Sequence, residues 1–139
     1  MAQIISIHSY RGGTGKSNTT ANLATLLAAE GRRVGVIDTD IQSPGIHILF
    51  NLDEAEMRNS LNDYLWGTCH IKETAHDVTA RLGGNISGRV YLIPSSMKAG
   101  DIAPGYFMLI ALLRSDSGIL TPSSSLVVVF ITRVGCLCV

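Results

Sequence analysis

Arg11-Gly12-Gly13-Thr14-Gly15-Lys16-Ser17 gathers three glycines, a lysine and a serine into one short run. That set answers the needs of a triphosphate. Glycines let backbone N–H groups wrap closely around phosphate oxygens, a lysine brings a positive charge on a flexible stem, and a serine hydroxyl is a hard ligand for Mg²⁺. A helix starting at the end of the run would add its positive N-terminus. On this chemistry Lys16 reaches the β- and γ-phosphates, Ser17 ligates Mg²⁺, and Arg11, Gly12, Gly13, Thr14, Gly15, Lys16, Ser17 and Asn18 form the cradle. The general pattern G-x-x-x-x-G-K-[ST] asks for glycine at position 10, where this chain carries Tyr10. The competing reading is an ordinary glycine-rich turn.

The flanking segments supply the context that such a loop requires. Gln3 to His8 is a short β-branched run and reads as a strand. Ser17 to Glu30 reads as a helix, with Leu23, Leu26 and Leu27 at helical spacing and Gly31 as its stop. Arg33 to Ile37 reads as a second strand that runs into Asp38-Thr39-Asp40. Strand, loop, helix and strand together predict a βαβ unit with a parallel sheet. Carboxylates at the C-terminal end of such a strand face the ligand crevice, so Asp38 and Asp40 are candidates for work on Mg²⁺ and the phosphates. The bland alternative is an N-cap or Asx-turn. Further on, Pro44 to Phe50 and Ser60 to Trp66 read as short helices, with Tyr64, Leu65 and Trp66 packing on the sheet. Gly83-Gly84-Asn85 marks a loop, and Val90 to Pro94 and Leu126 to Thr132 read as strands.

The loop resembles the deviant Walker A motif of the ParA/MinD family of ATPases, in which the first glycine is often missing. The resemblance continues through Thr19-Thr20-Ala21-Asn22-Leu23-Ala24, through Gly31 to Asp40, and through Val90 to Ser96. It implies an α/β, P-loop NTPase-like fold, a mostly parallel sheet flanked by helices, with ATP and Mg²⁺ as ligands. It assigns Asp38 to the Mg²⁺ shell and Asp40 to positioning the attacking water, and Asp40 with Lys16 and Arg11 makes the expected catalytic group. It also implies a nucleotide-dependent homodimer, in which Arg11 stands where the family has a lysine that crosses to the partner's nucleotide. Arginine keeps that charge but is planar and bulkier. Asn18 replaces a usual threonine. Work in chromosome or plasmid partitioning, or in cell-division positioning, is the implied setting, with the cargo or regulator protein unspecified.

The resemblance covers residues 1–97, read as the N-terminal part of a nucleotide-binding domain; residues 98–139 read as its divergent or truncated continuation. The strand Val127 to Ile131 runs into Thr132-Arg133, and no carboxylate follows Asp116, so the second Mg²⁺-binding aspartate of a P-loop ATPase has no counterpart. Hydrolysis is therefore the weaker expectation. A non-catalytic nucleotide-binding fragment is the first alternative. A small P-loop kinase is the second, supported only by Arg114 and Arg133 late in the chain.

The chain of 139 residues has 46% apolar and 16% charged residues, with 11 basic and 11 acidic side chains. A net charge of zero gives no global field toward nucleic acid or anionic lipid, and no DNA- or membrane-binding element is visible. Three cysteines favour reduced thiols and a cytoplasmic setting. Cys69, His70 and His76 fit no trusted metal spacing, and Cys136-Leu137-Cys138-Val139 matches a prenylation box only formally. The family's iron–sulfur relatives need two well-placed cysteines per subunit, and residues 1–97 offer Cys69 alone. An incomplete sheet is expected to leave an open edge.

Overall fold

A computed structural model describes residues 3–9, 11–40, 44–96 and 126–133. The expectations at Tyr10, Arg114, Asp116 and Cys136 to Val139 lie outside the described residues.

Five strands form one sheet: β1 (Gln3–Ser9), β2 (Arg33–Asp38), β3 (His76–Asp77), β4 (Arg89–Ile93) and β5 (Leu126–Arg133). Their order is β1-β5-β2-β4-β3, parallel except for β3 against β4. The strands on either side of the glycine loop are thus parallel, as the sequence predicts, but they are not neighbours, because β5 lies between them. Its Val127, Val128 and Val129 are all buried. A continuous apolar run is what a central parallel strand requires, since both of its faces are covered. Among the described strands β1 lies at one edge, and Ile4 on it is 56% exposed.

Helix α1 (Lys16–Ala29) packs on one face of the sheet. Its buried positions are Thr20, Ala24 and Ala28, not the leucines. Small residues at a spacing of four let the helix approach the sheet closely. Leu26 is exposed, while Ala21 and Leu27 pack at the margin. The helix stops at Gly31 in a left-handed conformation (φ 86°), where Gly31 N–H donates to Ala28 O and Arg32 N–H to Leu27 O.

Strand β2 alternates, so Val34, Val36 and Asp38 share the buried face toward α1, and Ile37 packs on the opposite side with Leu61, Ile71 and Ile93. Helices α2 (Ile46–Leu49) and α3 (Leu61–Leu65) are shorter than the sequence implies. Ser60 and Asp63 cap α3 reciprocally. Tyr64 and Leu65 pack against the second cluster, but Trp66, just past the helix, is exposed. Arg89 at the start of β4 pairs with Asp77 of β3 at 3.0 Å.

Gly88, at the entry to β4, donates its N–H to Ala28 O at 2.8 Å. A Cβ there would stand 2.1 Å from Arg32 O and 2.7 Å from Ala28 O, both backbone atoms. Gly88→Ala is expected to cost about 2–4 kcal/mol of stability, since the ends of α1, β2 and β4 would have to separate. A urea midpoint that moves by less than about 0.5 kcal/mol in equivalent stability would refute this packing.

Candidate phosphate-binding site

The four parallel strands deliver their C-terminal ends to one edge of the sheet, where open α/β sheets bind ligands. Ser9 ends β1 and leads into the glycine loop, Asp38 ends β2, and Ser95 follows β4. Residues Arg11 to Gly15 are exposed. Gly13 and Gly15 hold φ of 72° and 85°, a region costly for side chains, although a Cβ at either would meet nothing within 4 Å. The glycines therefore serve backbone direction rather than crowding.

Gly15 is the N-cap of α1, which has no side-chain cap and no acidic residue in its first turn. The first intrahelical bond runs from Thr19 N–H to Gly15 O, so the N–H groups of Lys16, Ser17 and Asn18 project from the helix end. Three donors and the positive end of the helix dipole thus face the loop, which suits a phosphate anion.

Lys16 lies on the same stripe as Thr20, Ala24 and Ala28, four residues apart, so its side chain starts toward the sheet. It is only 9% exposed, and its Nζ stands 4.0 Å from Oδ2 of Asp40, itself 12% exposed. Lys16 and Asp40, each expected in the catalytic group, are therefore brought together. No hydrogen bond or ion pair joins Ser17 to Asp38 among the described residues. Arg11 is exposed, beyond the reach of any ion pair among the described residues.

Asp38 is 2% exposed because strand alternation carries it into the buried face. Burial pushes its carboxyl up from 3.8 to about 6, and the neighbouring Asp40 charge adds to the rise. Backbone N–H groups of Asp40, Gly45 and Ile46 oppose the shift, the first by a bond of 2.9 Å to Oδ1. Asp38 thus forms the Asx-turn that was the bland reading of this position, and it does so as a buried carboxylate beside the loop. Ser17 and Asp38 offer a hydroxyl and a carboxylate, both hard oxygen donors. That fits Mg²⁺, which takes one or two protein oxygens and fills its shell with phosphate and water. Among the described residues no group of three His, Cys, Asp or Glu side chains could hold a metal by itself. His70 instead joins a capping box with Glu73, and His76 Nε2 lies 2.9 Å from Asn59 O.

Several contacts at this edge were not singled out from the sequence. Ser95 Oγ donates to Asp38 O at 2.6 Å, joining the ends of β2 and β4. Ser9 and Thr14 form a hydroxyl pair across the loop. The signal available for Ser9 was its place immediately before the glycine run, at the end of a strand. Strand β5 ends beside both halves of the site, with Arg133 in register with Ser9 and Ile131 with Asp38.

A mostly parallel sheet, a glycine loop between β1 and α1, and carboxylates at the end of β2 define a P-loop NTPase. Residues 1–79 match the ParA family profile described as NUBPL iron-transfer P-loop NTPase, and the chain belongs to that family. An iron–sulfur cluster carrier protein of Pseudomonas fragi is 44% identical over 63 residues, 45% of this chain and 22% of that protein. The cytosolic Fe-S cluster assembly factor CFD1 of Phaeosphaeria nodorum is 32% identical over 103 residues, 73% of this chain and 33% of that protein. The septum site-determining protein MinD of Pyrococcus horikoshii, solved with Mg-ADP, superposes with a TM-score of 0.71 at 23% identity, over 96% of this chain and 50% of that one. That likeness establishes the fold. The chain spans a third or less of these curated relatives and half of the solved MinD chain. Among the described residues, no helix is long and apolar enough to cross a membrane.

Proposed function

We propose that this chain binds Mg·ATP at the loop Arg11 to Asn18 and belongs, in function, to the iron–sulfur carrier branch of its family. The observation that carries the nucleotide reading is the uncapped start of α1 with Lys16 drawn into the loop beside Asp40. Lys16 would turn from Asp40 to the β- and γ-phosphates, Ser17 and Asp38 would hold Mg²⁺, and Asp40 would orient water. Arg11, exposed at the loop, suits a residue that reaches a second copy's nucleotide in a homodimer. Residues 1–97 form the nucleotide-binding unit in this reading, with 98–139 as its divergent continuation. The setting is the cytoplasm, in keeping with the reduced-thiol composition and a cytosolic relative.

The partitioning and cell-division setting implied by the first resemblance has support only from shared fold. Iron–sulfur names, by contrast, come with relatives at 32% identity or higher. Cys69 is the one free cysteine among the described residues. Turnover is slow in this account, because β5 ends beside the loop in Thr132 and Arg133, with no carboxylate for the Mg²⁺ shell.

The test is recovery of labelled ATP from the purified chain in Mg²⁺, followed by chromatography of the bound nucleotide. Intact ATP, retained stoichiometrically and released without multiple turnover, is the expected result. Rapid, repeated release of ADP would overturn the binding-without-turnover account. Iron retained after anaerobic reconstitution would support the carrier branch. ATP-dependent binding to DNA or anionic vesicles, without iron, would return the chain to the partitioning reading.

A further inference from the structure

Alternation along β1 places Ile5, Ile7 and Ser9 on one face, and the two isoleucines pack against the core cluster beneath α1. Ser9 therefore leaves the sheet on the same side as the glycine loop. Its Oγ donates to Arg11 O at 2.7 Å and accepts from Thr14 Oγ1 at 2.9 Å. The two bonds form a relay, Thr14 hydroxyl to Ser9 hydroxyl to Arg11 carbonyl, that closes the loop into a ring before α1 begins.

The consequence for the backbone is direct. The peptide joining Arg11 to Gly12 is planar and trans, so its carbonyl and its N–H point in opposite directions. Tying the Arg11 carbonyl to Ser9 fixes where the Gly12 N–H points. The next turn contains Gly13 and Gly15 at positive φ, where glycine leaves the chain its greatest freedom. A loop of this composition loses much entropy on closing around an anion unless something holds it beforehand.

We infer that Ser9, partnered by Thr14, is a positioning residue that preorganises the phosphate loop and orients the backbone on which Arg11 sits. This rests on the nucleotide-binding reading above and adds a role for two hydroxyls that lie outside the lysine, the Mg²⁺ ligands and the carboxylates. Ser9 touches no phosphate in this account; it acts through the Gly12 N–H and the Arg11 backbone.

The test compares the whole chain with Ser9→Ala, Ser9→Thr, Thr14→Val and the Ser9→Ala/Thr14→Val double variant. Dissociation constants for Mg·ATP and Mg·ADP are read beside the unfolding midpoint without nucleotide. Ser9→Ala is expected to weaken both nucleotides about five-fold, the worth of a preorganising hydrogen bond. Its nucleotide-free midpoint should stay where the wild type's is, and Ser9→Thr should restore affinity. Thr14→Val should weaken binding less, and the double variant should lose no more than Ser9→Ala alone, because one relay is broken in each case. Unchanged affinity in Ser9→Ala with a wild type that binds would overturn the inference and leave the nucleotide reading standing. A fall in affinity matched by a fall in the nucleotide-free midpoint, not restored by Ser9→Thr, would overturn it as well. A wild type that binds neither nucleotide would remove the reading on which the inference rests.

Discussion

Lys16→Ala is expected to remove about half or more of the stabilisation that Mg·ATP gives this chain. A ligand held at about 100 times its dissociation constant adds about 2.7 kcal/mol to a protein that binds it only when folded. In a domain of this size that is a rise of several degrees in unfolding midpoint. A charge-assisted hydrogen bond to phosphate is worth about 1.5–3 kcal/mol, so its loss lowers affinity by about ten- to a hundred-fold. At the same nucleotide concentration the stabilisation then falls to about 1.4 kcal/mol for a ten-fold loss and about 0.4 kcal/mol for a hundred-fold loss. The lysine is well placed for so large an effect: it is almost buried, its only ion pair among the described residues is with Asp40, and that contact is loose at 4.0 Å. Each variant is compared with its own nucleotide-free midpoint, because removing Lys16 also leaves Asp40 without its cation. A nucleotide shift equal in wild type and Lys16→Ala would show that ATP binds elsewhere, or that the loop acts without its lysine.

Asp38→Asn carries the second large effect, and its sign reverses between stability and binding. The folded chain holds the Asp38 proton up to about pH 6, whereas the unfolded chain gives it up near 3.8. Below the lower value both states are protonated and the group costs nothing. As pH rises through about 6, the folded state must carry a buried charge, and stability falls. At about two units, the cost at neutral pH is about 1–3 kcal/mol, discounted at the lower end for the bonds an asparagine amide would still have to find. Asp38→Asn should therefore be the more stable protein at about pH 8, and it should lack the wild type's decline between about pH 4 and pH 7. A cation beside the carboxylate favours its charged form, so Mg·ATP binding by the wild type should strengthen as pH rises through the same range. The variant should bind Mg·ATP more weakly, with that pH dependence gone. Urea unfolding at a series of pH values, with and without Mg·ATP, reads both. A variant less stable than wild type at about pH 8 would mean that the backbone bonds to Asp38 outweigh its burial.

The glycine loop, its two strands and the following helix were legible in the sequence because each is a local event. A β-branched run, a glycine stop at Gly31 and the order Gly-Lys-Ser specify them within a few residues. What was not legible depends on contacts distant in sequence. Strand β5 was recognisable as a buried strand from its valines, but its insertion between β1 and β2 is set by pairing across the sheet. The leucines of α1 showed its helical spacing but not its inner face, since a helix lying close on a sheet buries its alanines and leaves Leu26 outside. Strand β3 is only two residues long and has no periodicity to read. At the site, Lys16, Asp38 and Asp40 were readable from residue type and position. The Ser9–Thr14 pair and the bond from Ser95 to the Asp38 carbonyl were not, because hydroxyls occur everywhere and only the fold selects which of them meet.

Equilibrium dialysis of labelled ATP against the wild-type chain, with and without Mg²⁺ and beside Lys16→Ala, shows whether the loop from Arg11 to Asn18 binds nucleotide through its lysine. Saturable binding near one nucleotide per chain, stronger in Mg²⁺ and weakened at least ten-fold by the substitution, is the expected result. No saturable binding by the wild type, or equal binding by Lys16→Ala, would contradict it.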